Sequence, residues 1–268
     1  MAAIATPPTF SRPLSGFADI LRSEFCKLGS VRSTFWSLLV AVVSNVALGA
    51  VGAVFIPGAL SAPEKATVDV TRLSLAGLHL SQIALGVLGV LVITSEYGTG
   101  MIRATLSAVP QRRLLLAAKA IVFAVTALVV GIISSFAAWF VFQAFLSDNS
   151  LQSSIGDPGV LRAVTGGGLY LTVLGLLGLG LGAIIRASAG AIAALFGLLF
   201  VPPILLQLLP QSWQTTVGPY TPMEAGSQIF IVDHHAGSLA AWTGFGLFCL
   251  YAAVALTISV LLINHRDA

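Results

Sequence analysis

Six stretches of this chain, at about 35–56, 73–94, 114–142, 163–185, 189–209 and 239–263, are apolar over a helix length and carry almost no charge. A hydrocarbon core about 30 Å thick is crossed by roughly 20 residues of helix, so each stretch is long enough to span a bilayer. Only 9% of the residues are charged and 57% are hydrophobic, and mean hydropathy is +0.97. A soluble domain carries about a quarter charged residues, so this chain has to be solvated by lipid. Strand alternation is absent, which argues against a barrel. The expected fold class is an all-α membrane protein: a disordered N-terminus at 1–13, an amphipathic helix at 14–32, and a six-helix transmembrane domain over 33–268.

In the amphipathic segment, Leu14, Phe17, Leu21, Phe25 and Leu28 fall at spacings of 3, 4, 4 and 3, a helical stripe suited to lie in the headgroup plane. The helix-length segment ahead of the first span makes a cleaved signal peptide a poor fit. Charge sets the expected orientation. With the N-terminus inside, Arg12, Arg22, Lys27, Arg32, Arg103, Arg112, Arg113, Lys119, Arg186 and Arg266 fall on the inner side, and only Lys65, Arg72 and Arg162 fall outside. That asymmetry predicts a multi-pass protein of the plasma membrane with both termini cytoplasmic. The pI near 9.1 therefore reflects topology, and no dense basic patch interleaved with aromatics points to nucleic acid. Cys26 and Cys249 do not form a disulfide framework.

Four segments are candidates for function. The inner loop after the second span holds Glu96 just past an apolar run, then Gly98 and Gly100, where the backbone can turn. Thr99 to Ser107 can form a short helix that Pro110 stops, a shape suited to docking a soluble partner; the alternative is an ordinary positive-inside loop with an interfacial carboxylate. For the N-terminal amphipathic helix, a plain interfacial anchor is the favoured reading on its residues alone. Gly175, Gly178 and Gly182 share a face of the fourth span, where packing within the chain is favoured over a dimer contact. The outer segment 210–238 ends in Asp233-His234-His235, whose adjacent side chains point different ways, so a polar surface turn is favoured over a metal site.

Polar residues inside the spans are few: Asn45, His79, Gln82, Ser134, Ser135, Gln143 and Gln207. Each is expected to face protein or a watery cavity, mostly in helix–helix hydrogen bonds, and Asn45, His79, Gln82 and Gln207 are the candidate pathway residues. No acidic residue lies mid-span, which argues against a proton-coupled antiporter. No GxxxxGK[ST], HExxH or GxSxG motif is present, so the chain carries no P-loop of its own and shows no visible catalytic constellation.

Two segments carry a family resemblance: LRSEFCKLGSVRSTFWSLL leading into the first span, and ITSEYGTGMIRATLSAVPQRRLLLAAKA after the second. In the latter, Glu96, Tyr97, Gly100, Ile102 and Arg103, followed by Pro110 and Arg112, are in register. The chain resembles actinobacterial ABC-2 type transporter permeases. The resemblance implies a type V exporter fold in which two permease chains, as a homodimer or a related pair, form the pathway above separate ATP-binding subunits. ATP and magnesium would bind those cytosolic ATPase partners, and no cofactor would bind this chain, which would not itself be an enzyme. Leu14–Arg32 would be the interface helix, with Phe17, Leu21, Glu24, Phe25, Lys27 and Leu28. Glu96 to Pro110 would be the coupling helix, with Glu96 paired to Arg103 or Arg32. Spans two and five would line the pathway, and 210–238 would cap it as re-entrant helices. The implied cargo is a hydrophobic or amphipathic compound such as a drug, antibiotic, lipid or modified peptide. A motor-independent secondary transporter, or a membrane accessory or immunity protein, is the alternative.

Overall fold

The structure is a computed structural model that describes residues 16–65, 68–109, 111–146, 151–233 and 237–265, and among these every regular element is helical. In chain order the helices are α1 (Phe17–Ser30), α2 (Arg32–Ala59), α3 (Ala62–Lys65), α4 (Val70–Ser74), α5 (Leu78–Gly98) and α6 (Met101–Ala108). They continue as α7 (Arg112–Phe145), α8 (Val160–Ile185), α9 (Ser188–Gln207), α10 (Gln211–Val217), α11 (Pro222–Ser227) and α12 (Ala241–His265). Six of them, α2, α5, α7, α8, α9 and α12, are long and apolar enough to cross a membrane. They run alternately up and down, so α1, the α5–α6–α7 link, the α8–α9 link and the end of α12 gather at one end of the bundle. The expected N-terminal segment 1–13, Pro110, His234 and His235 lie outside the described residues.

Each span sits within a few residues of its expected position, apart from the start of the second. The apolar run from residue 73 is cut by a turn at 75–77, and the residues before it form a separate short helix, α4, whose start is capped where Asp69 Oδ1 accepts the Arg72 N–H at 2.8 Å. The other oxygen of Asp69 accepts the Val232 N–H at 2.8 Å, tying α4 to the outer segment. Helix α5 therefore begins at Leu78 rather than Leu73.

Helix α8 is the centre. Its most apolar window is 72% buried within the chain, against 17% for α9. The glycine face explains this. A Cβ at Gly89 of α5 would fall on the backbone carbonyl of Gly175, one at Gly178 would lie 2.8 Å from the Gly86 carbonyl oxygen, and one at Gly182 would lie 3.0 Å from that of Val90. The two backbones touch where side chains would otherwise hold them apart, so the glycine stripe packs within the chain. Around this contact Leu85, Phe123, Leu171, Leu174 and Leu177 close the core. Tyr170 stacks on Phe248 of α12 with ring centroids 5.3 Å apart, and its hydroxyl donates to Gln82 Oε1.

Of the expected polar turn at Asp233-His234-His235, Asp233 is exposed and the two histidines lie outside the described residues; the rest of the outer segment is largely helical. After α9, which runs unbroken through Pro202 and Pro203, the chain forms exposed α10, a 3-10 turn at Gly218–Tyr220, α11, and a second 3-10 turn at Gln228–Phe230. Ala225 to Ile231 are buried. The carbonyls freed by these short helices meet a cation: the Arg162 guanidinium donates to the oxygens of Gln228, Ile229 and Ile231. Arg162 thus satisfies backbone that would otherwise be stranded in an apolar setting.

Candidate functional site: a charged junction of three helices

At the end of the bundle that carries α1, helix α5 stops because Gly100 takes a left-handed turn at φ 72°, a conformation open to glycine at little cost. The turn reverses the chain into α6. One turn before it, Glu96 is only 7% exposed. Glu24 of α1 and Lys119 of α7 are equally enclosed, at 5% and 2%. The Lys119 ammonium donates to Glu24 Oε2 and to Glu96 Oε1, each at 2.7 Å. Lys27, whose side chain is 35% exposed, donates to Glu24 Oε1 at 3.0 Å and Glu96 Oε1 at 3.1 Å. Two cations and two carboxylates thereby join α1, α5 and α7 into one unit of zero net charge.

An apolar contact seals this junction. Ile20 of α1, Ile102 of α6, and Leu115 and Ala118 of α7 form a buried cluster, flanked by Leu21, Tyr97, Leu106 and Val109. Helix α6 thus lies flat, with Ile102 inward and Arg103, Ala104 and Ser107 exposed. Further contacts extend the unit to α8, α9 and α12: Arg186 at the end of α8 sits 5.1 Å over the Tyr97 ring, the Ser188 hydroxyl donates to Thr94 at 2.8 Å, and Arg112 donates to the Ile263 carbonyl at 2.9 Å.

Burial alone lowers the pKa of Lys27, but hydrogen bonding and attraction from Glu24, then Glu96, outweigh it and leave the group above the ordinary lysine value of 10.5. A raised lysine stabilises the folded state fully below its unfolded pKa, and that contribution fades only as pH climbs through the folded one. The anisotropy of a fluorophore on the exposed Cys26 thiol, in a Cys249→Ser background, should therefore stay flat from neutral pH into the lysine range. It should fall only above that range, when α1 comes loose.

The expected coupling residues Glu96, Tyr97, Gly100, Arg103 and Arg112 do gather here. The expected partner of Glu96 is corrected: Lys27 and Lys119 hold it, not Arg103 or Arg32. Arg103 is on the outward side of α6, and Arg32 lies beyond Val31, whose extended backbone (φ −84°, ψ 116°) ends α1. The interface helix meets the protein through Ile20, Glu24 and Lys27, one position before the stripe of Leu21, Phe25 and Leu28. Phe25 is 63% exposed, and Phe17 is exposed as well. Lys119 is the residue that the sequence reading passed over, counting it only as an inner charge. A lone lysine inside the run Leu114 to Val130 was the available signal, since an ionisable group within a span calls for a partner.

The candidate pathway residues do not converge. Asn45 of α2 donates to Ser134 of α7 at 3.0 Å, and Gln82 is held by Tyr170, so both serve helix–helix contacts. His79 and Gln207 are exposed, and Gln207 lines a recess of about 300 Å³ at the opposite end, between α9 and α10–α11. No family model matches the chain, and no curated protein matches it. Fold and site together define a multi-pass helical membrane protein with a buried ionic junction at one end.

Proposed function

We propose that this chain is the membrane-spanning subunit of an ATP-driven exporter, working with a second permease chain above separate cytosolic ATPases. The observation that carries the reading is α6: a short helix lying across the α1 end of the bundle, with one face sealed to α1 and α7 and the other open. A push on its open face is delivered through Glu96, Glu24, Lys27 and Lys119 to three helices at once, two of them spans. Rigid-body switching needs such a connection between motor and pathway. The positive-inside asymmetry puts this end in the cytoplasm, where an ATPase would be. Type V permeases, which the α1 and α6 segments resemble, couple at the same two places. The cargo is hydrophobic or amphipathic, because the described spans are apolar and carry few charges to match a strongly ionic one.

The test is a tagged pull-down from solubilised membranes, with the chain expressed beside its neighbouring reading frames. A stoichiometric ATPase should co-purify, and its ATP turnover should depend on the permease. Arg103→Glu reverses an exposed charge on the docking face without touching the buried junction. It should cut the permease-dependent turnover about tenfold, the equivalent of about 1.4 kcal/mol, with the thermal midpoint unchanged. A chain that purifies alone and shows no nucleotide dependence points instead to a secondary transporter or a membrane accessory protein.

A further inference from the structure

Beside the ionic junction, between α1, α2 and α5, is a cavity of about 440 Å³. Its chemistry is divided. Leu28, Val31, Leu88, Leu91, Val92 and Met101 give it an apolar wall, and the charged junction forms its floor. Between them lies a rim of hydroxyls, and three of these already spend their protons on helix carbonyls: Ser30 on Lys27, Ser95 on Leu91 and Thr99 on Ser95. These three present only lone pairs to an occupant, while Ser33 and Thr34 complete the rim with hydroxyls that can donate or accept. The floor offers a further acceptor. Both lysines bond to Glu96 Oε1, while Glu96 Oε2 is buried and has no hydrogen-bond partner among the described residues. A buried carboxylate oxygen without a donor is costly, and Glu96 lines this cavity.

We propose that this cavity binds an uncharged amphiphile from the adjacent leaflet, with a hydroxyl-bearing head donating to Glu96 Oε2 and a hydrocarbon tail along α5. Charge decides the head. The four ionic groups sum to zero, so a cationic head would face two ammonium groups and an anionic head two carboxylates, each without a counter-charge to spare. A neutral hydroxyl supplies the missing donor and adds no charge to a setting that penalises it. Length decides the tail: Leu88, Leu91 and Val92 lie one to just over two turns from Glu96 on a membrane-spanning helix, so a chain leaving the head runs at lipid depth. The proposal stands without the exporter reading, since binding needs neither ATPase nor nucleotide.

The test uses the full chain in phosphatidylcholine nanodiscs, because maltoside detergents belong to the proposed ligand class. A monoacylglycerol bearing a diazirine in its tail is the probe, with cross-links mapped by mass spectrometry. Labelling should centre on Leu28, Leu91 and Val92. Monoolein should compete at least tenfold better than oleylamine, oleate, or the monoolein dimethyl ether, which keeps size and acceptors but has no donor. Leu91→Trp, which fills the cavity away from the charges, should abolish the labelling. Glu96→Gln, which turns an amide donor toward the ligand, should weaken it about tenfold in protein that still unfolds cooperatively. If the ether competes as well as monoolein, if a charged analogue wins, or if Leu91→Trp labels like wild type, the assignment fails. If Glu96→Gln does not fold, the ether comparison on wild type still decides the question.

Discussion

Lys119→Met should lower the unfolding free energy by about 3–5 kcal/mol, the usual cost of removing one member of a buried ionic set. Lys119 is the only one of the two lysines that is fully enclosed, and its loss leaves Glu24 and Glu96 facing each other with only the half-exposed Lys27 between them. Cost and cause separate cleanly. If the loss reflects stranded carboxylates, adding Glu24→Gln and Glu96→Gln to Lys119→Met should recover most of it, because neutral groups of the same shape need no counter-charge. If it reflected only lost packing, the triple variant would be no better than the single. Thermal unfolding in one fixed detergent measures both, and an unchanged midpoint for Lys119→Met would mean that the junction does not hold the helices. The same reasoning guides the choice of a functional variant. Glu96→Ala takes from Lys119 one of its two carboxylates, so a functional test through an exposed residue such as Arg103 is cleaner.

Gly89→Ala should be nearly as damaging, though it adds a single methyl. The new carbon would fall on the Gly175 carbonyl, which is backbone of the central helix and cannot rotate away. Helices α5 and α8 must then separate along their length, and overpacking of this kind costs about 1–3 kcal/mol. Gly197 of α9 supplies the control, because a Cβ there meets nothing within 4 Å. Gly197→Ala should be neutral or stabilising by a few tenths to about 1 kcal/mol, as expected from helix propensity alone. Equal melting of the two alanine variants would sink the claim that the α5–α8 contact is what the glycines are for.

How much of this was legible beforehand depends on the range of the forces involved. The spans are written in local composition, so they could be read run by run, as could the amphipathic helix and the reversal at Gly100. The start of α5 was misplaced because the turn at 75–77 lies within an apolar run, at the point where Gly77 packs against the backbone of Asn45 in another span. The ionic junction was half visible. Glu96 stood out as a carboxylate at a span end, but its true partners are 69 and 23 residues away, while Arg103, in the next helix, was near in sequence and wrong. The apolar stripe of α1 marks the side turned away from the bundle, where Phe17 and Phe25 are exposed. The side against the protein carries Ile20, Glu24 and Lys27, which that stripe does not find.

The central place of α8 also has a consequence for how the protein is made. A ribosome delivers the spans in order, so α5, α7 and α8 enter the membrane before α12 exists. Yet α12 supplies Ala255 over Gly180 and Phe248 over Tyr170 and Gly226, and α11 folds down between these two spans. Until the last span arrives, Tyr170 and Gly180 of the central helix lack the cover that Phe248 and Ala255 give them. The nascent chain therefore waits, five spans inserted and its core open, for a final helix that acts as a latch. Quality control in the membrane has a simple feature to read at that stage: an uncovered tyrosine and a bare glycine on one helix mark a chain that is not yet finished.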